Sequence, residues 1–200
     1  SAVGALHGLV GQGIAAGDAW RGLGLRLAAD ADQFLTIAKF RAARLLLARV
    51  AEVSGLDARP PIHAETSWRM LGAREPMMNL VRATTGAFAA AAGGADAITV
   101  LPPMLADRAF AARMARNVQL ILGEESSLAR TADPGAGSGA VEALTAQLAA
   151  EAWGLFTRIE AEGVIAAAIR TGSILEAVAT ARDGRLEAVA RRRVPLVGIN

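Results

Sequence analysis

The chain has 200 residues, 53% of them hydrophobic but only 4% aromatic, enough for a single domain with an aliphatic, alanine-rich core. Its 21 basic and 19 acidic residues leave a net charge of +2. The pI of about 10.3 reflects the use of arginine over lysine (Lys39 is the sole lysine), and so small a net charge gives little field to steer a polyanion, which argues against nucleic-acid binding.

The absence of cysteine rules out disulfides and thiolate metal sites and fits a cytoplasmic protein. The uncharged stretches 1–17 and 83–95 are, respectively, broken by glycines and too short to span a bilayer, so no membrane partner is expected.

In chain order, residues 5–20 read as a glycine-interrupted helix, and the alternating Leu23-Gly-Leu-Arg-Leu27 reads as a first strand. Asp30 or Asp32 is placed to cap a helix over 32–54 that Gly55 ends. Pro60-Pro61 blocks further helix and introduces a second strand over 62–66, followed by a polar loop to Pro76 and a helix over 77–92 stopped by Gly93-Gly94. The apolar run 96–101 is a third strand, closed by Pro102-Pro103. Helices follow over 106–122, 141–162, 165–170 and 174–192, with a glycine-rich loop at 131–139, and 194–199 reads as a fourth strand. Strands separated by helices predict an α/β fold of parallel strands with helices outside. In such folds, chemistry sits where a strand ends and a loop begins, which points to His63, Glu65, Thr66 and Ser67.

Several motifs stand out. They are Phe34-Leu-Thr-Ile-Ala-Lys-Phe-Arg-Ala-Ala-Arg44, the run from His63 to Ala83, Ala112-Arg-Met-Ala-Arg-Asn-Val-Gln-Leu-Ile-Leu-Gly-Glu-Glu-Ser126, Asp133-Pro-Gly-Ala-Gly-Ser-Gly-Ala-Val-Glu142 and the closing Val197-Gly-Ile-Asn200. In order and spacing they resemble the patterns of the adenosylcobalamin-dependent acyl-CoA mutases, the methylmalonyl-CoA mutase family. The resemblance implies the C-terminal half of a (β/α)8 TIM-type barrel, with four parallel strands and outer helices, held by residues 1–200 as one partial domain.

The departures from the family pattern are as informative as the matches. The family's Glu before Ile-Ala-Lys is Thr36, the Gln and Gly of its His-Cys-Gln-Thr-Ser-Gly are Glu65 and Trp68, and the Glu of the following helix is Gly86. Trp68 is expected to crowd a place where glycine admits a ligand. Such losses at strand ends resemble the small, non-catalytic subunit of heterodimeric mutases.

That likeness implies a remnant substrate-binding mouth of His63, Glu65, Thr66, Ser67, Asn79 and Arg82, with no catalytic residue and no metal ligand. It implies that adenosylcobalamin belongs to a catalytic large subunit, not to this chain. The expected partners are that subunit and the remainder of the barrel, with the isolated chain associating as a homodimer. The alternative is a fragment of an active mutase that still binds acyl-CoA.

Individual residues carry paired readings. His63 contacts a substrate or corrin, or is a strand-end histidine bonded to a neighbour. Glu65 is an acid–base group, or pairs with Arg69, Arg74 or Arg82. Lys39 forms a Schiff base, or sits in a structural ion pair. Arg41, Arg44, Arg113 and Arg116 are expected to form charged seams between outer helices or toward a partner. Glu124-Glu125 and Arg191-Arg192-Arg193 read as solvated helix ends. The glycines of 133–139 read as a loop, since no lysine follows them at P-loop spacing.

Overall fold

Three parallel strands, β1 (Leu25–Ala29), β2 (Ile62–Thr66) and β3 (Ala97–Thr99), lie side by side in that order in a computed structural model that describes residues 2–103 and 106–194. Leu25 faces Ile62 and Ala29 faces Thr66 across the first pair; His63 faces Ala97 and Glu65 faces Thr99 across the second. Parallel pairing requires crossovers, and the helices α3 (Gln33–Val53) and α4 (Met78–Ala92) supply them.

Before the sheet lie α1 (Ala2–Gly11) and α2 (Ala16–Gly22). After it come α5 (Arg108–Leu120), a π-helical turn (Ile121–Glu125), α6 (Gly139–Ala161), α7 (Val164–Thr171) and α8 (Ser173–Ala190).

Successive strand residues point to opposite faces. Leu25, Leu27, Ala29, Ile62, Ala64 and Ile98 join the core made with Trp20, Phe40, Leu47 and Ala90. Arg26, Ala28, His63, Glu65, Ala97 and Thr99 occupy the alternate positions, where none is fully buried. The sheet is therefore covered by helices on one face and lined with small or polar groups on the other. Alanine and glycine bring the helices close: a Cβ added at Gly93 would lie 2.8 Å from Phe40 Cβ and 2.9 Å from the Ile37 carbonyl oxygen, so no larger residue fits where α3 meets the end of α4.

The α/β class and the parallel strands agree with expectation; the details shift. The first helix is two, broken where Gly13 takes a left-handed φ of 88°. The first strand begins at Leu25, not Leu23, because Leu23 donates its N–H to the Trp20 carbonyl and closes α2. Asp32, not Asp30, caps α3 by accepting from the Leu35 N–H (3.2 Å), and Gly55 at φ 62° ends it. The third strand shortens to Ala97–Thr99. The fourth, expected over 194–199, lies outside the described residues except for Val194.

Charged seams tie the outer layer together. Arg41 of α3 pairs with Asp133 and, at 2.6 Å, with Glu142, fastening the 131–139 loop and α6 to α3. Arg44 donates to the carbonyls of Pro60 and Gly94 and pairs with Asp96 at 2.5 Å. Arg113 and Arg116 form no such seam between helices: Arg113 lies over the Phe110 ring at 5.4 Å, and neither forms an ion pair among the described residues. Glu124 and Glu125 are exposed, as are Arg191 to Arg193, where Arg191 pairs with Glu187.

Asp96 predicts a pH dependence. Desolvation by itself would raise its pKa, but the bond from Arg44, the Ile62 N–H (2.7 Å) and the charges of Arg44 and Arg59 together lower it below the ordinary 3.8. The unfolded chain then binds more protons in that window, so the Asp96 contribution is complete above about pH 4 and is lost as pH falls through the depressed folded value. Urea unfolding from pH 5 to pH 2 is expected to show a shallower acid loss of stability in Asp96→Asn than in wild type.

Candidate functional site

The C-terminal ends of the strands are closed by side chains bonding within the chain. At β1, the Ala29 carbonyl accepts the Ser67 N–H (2.7 Å), and Thr36, which is 2% exposed, donates its hydroxyl to the Asp30 carbonyl (3.0 Å) while accepting the Asp30 N–H (3.3 Å). The Asp30 carboxylate accepts from Arg69 Nε at 2.5 Å. This pins the short turn Trp68–Met70 across the end of β1. A Cβ at Gly86 would stand 3.1 Å from the same Ala29 carbonyl, so a side chain there would have to push α4 or the strand end back by a few tenths of an ångström.

Thr66 is buried, and its hydroxyl accepts the Leu101 N–H (2.8 Å), joining the ends of β2 and β3. Ser67 is buried beside it. Asn79 is 0% exposed: its Oδ1 accepts from the Gly72 N–H (2.8 Å) and from Arg82 Nη1 (2.8 Å), and its Nδ2 donates to the Gly72 carbonyl (2.9 Å). A side-chain amide offers both an acceptor and donors, and here it holds the 67–76 loop by mimicking a backbone partner.

On the open face, His63 Nε2 lies 2.8 Å from Thr99 Oγ1, the neighbour-bonded arrangement of the two expected for it. Glu65 is 25% exposed and sits 3.6 Å from Arg26, itself 67% exposed. A pair this long and this wet contributes little. Of the arginines expected beside Glu65, Arg69 is taken by Asp30 and Arg82 bonds Asn79, and the ion pair seen is with Arg26 instead. Arg26 occupies the adjacent strand on the same face, a neighbour that only the β1–β2 register reveals.

Lys39 corrects a second expectation. Its Nζ donates to the Ala28 carbonyl and forms no ion pair among the described residues. Burial holds its pKa below the usual lysine value; Asp30 opposes this and Arg69 reinforces it. Trp68, expected to crowd the place where a ligand approaches, is 62% exposed, so its indole is not packed into the core of this chain.

The six expected site residues thus fall into two groups. Thr66, Ser67, Asn79 and Arg82 are buried in loop-fixing contacts, and His63 and Glu65 line the uncovered face. Sequence reasoning missed Asp30, Gly72 and Thr99, which complete these contacts. Among the described residues no group of three or more His, Asp or Glu is gathered to hold a metal ion.

The sequence profile of methylmalonyl-CoA mutase matches residues 3–200. The chain belongs to the methylmalonyl-CoA mutase family. It is 46% identical over 200 residues to the methylmalonyl-CoA mutase small subunit of Streptomyces virginiae, an alignment spanning 98% of this chain and 32% of that protein. To the probable methylmalonyl-CoA mutase small subunit of Mycobacterium tuberculosis (strain ATCC 25618 / H37Rv) it is 44% identical over 212 residues, 100% of this chain and 34% of the other. To the small subunit of Propionibacterium freudenreichii subsp. shermanii it is 37% identical over 204 residues, 98% and 32%. The chain therefore spans about a third of the length of these mutase subunits. Within it, Arg41 of one motif bonds both Asp133 and Glu142 of another, so those motifs have a direct structural role in fastening α6 to α3.

Proposed function

We propose that this chain is part of a methylmalonyl-CoA mutase small subunit that acts as scaffold for a catalytic large subunit, which binds adenosylcobalamin and interconverts methylmalonyl-CoA and succinyl-CoA. The observation that carries this reading is the internal bonding of the strand ends. The side chains of Thr66, Asn79 and Arg82 bond within the chain, the 67–76 loop is held at Gly72 by Asn79, and β1 is closed by Thr36 and by the approach of Gly86. A buried polar group already paired gains nothing from a ligand unless those bonds are first broken.

The residues present do not suit a corrinoid either. His63 is engaged by Thr99, and His7 lies on α1, before the sheet begins. The test is titration calorimetry of the full small subunit with methylmalonyl-CoA, alongside a mutase assay of that subunit with added adenosylcobalamin. No binding heat and no turnover are expected; either signal would overturn the scaffold reading in favour of an active mutase fragment.

Residues 1–200 form, in this reading, one partial domain: the C-terminal half of a (β/α)8 barrel whose fourth strand is 194–199. The parallel order β1-β2-β3 and the helix-free polar face support it, since a barrel keeps helices on its outside. The location proposed is the cytoplasm; among the described residues no helix is long and apolar enough to cross a membrane.

The outer edges of β1 and β3 have no strand beside them among the described residues, and such edges recruit other strands. The isolated 200-residue chain is expected to associate as a homodimer by light scattering, and a monomer persisting at high concentration would refute that.

A further inference from the structure

We draw no further inference here: the strongest candidate, the apolar cleft of about 340 Å³ between α3 and α6 walled by Leu47, Val50, Trp153, Phe156 and Ile159, is an unpartnered face, and nothing in the structure shows what covers it.

Discussion

Replacing Asn79 with alanine is expected to destabilise the chain by about 3 kcal/mol or more, since each buried polar group left unpaired costs roughly 1–3 kcal/mol. The truncation removes three bonds at once: it strands the N–H and the carbonyl of Gly72, which is buried, and takes one partner from Arg82. The helix itself is not the victim, because alanine is the best helix former. The loss falls on the 67–76 loop, which should open and expose Met70, at present 4% exposed.

Asn79→Asp separates the contributions. It keeps an acceptor for Gly72 and Arg82 but sets a carboxylate oxygen against the Gly72 carbonyl, and its stability should lie between wild type and alanine. Urea unfolding of the three proteins measures this directly. An alanine variant that unfolds at the wild-type midpoint would mean that Asn79 is held for a ligand and not for the loop.

Much of the fold was legible because its signals are local. The Gly55 stop and the Pro60-Pro61 entry to β2 act within a few residues and bound their elements where expected, while the choice of Asp32 over Asp30 as the cap of α3 comes from the structure. The start of β1 was not legible, because Leu23-Gly-Leu-Arg-Leu27 alternates correctly while the Trp20 carbonyl claims Leu23 for the preceding helix.

The site was half legible. Strand ends can be located from sequence, so His63, Glu65, Thr66 and Ser67 could be named together. Which groups satisfy them depends on register and on loop path, and these place Arg26 beside Glu65, Thr99 beside His63 and Gly72 against Asn79. Periodicity carries no information about such pairings. The resemblance to mutases located the altered positions, Thr36 and Gly86, but the sequence did not show that the altered residues are themselves structural.

That structural role sets the outcome of restoring the family's glutamates. Thr36→Glu is expected to cost about 3–5 kcal/mol, the range for an uncompensated buried charge, because position 36 is 2% exposed and its hydroxyl both donates to and accepts from the backbone of Asp30. The new carboxylate would lie near the Asp30 carboxylate, and Lys39 and Arg69, the nearby cations, are already bound to the Ala28 carbonyl and to Asp30. Gly86→Glu adds a steric cost of about 1–3 kcal/mol, typical of overpacking, since its Cβ presses on the Ala29 carbonyl that also receives Ser67.

Neither substitution, nor the two together, is expected to create acyl-CoA binding in the full subunit. If the mouth had been lost only by exchanging side chains on an unchanged frame, the double variant would remain as stable as wild type and would bind methylmalonyl-CoA in calorimetry. The close approach of α4 to β1 predicts the opposite: lower stability and no heat, because a side chain at position 86 would crowd the Ala29 carbonyl and position 36 is already buried.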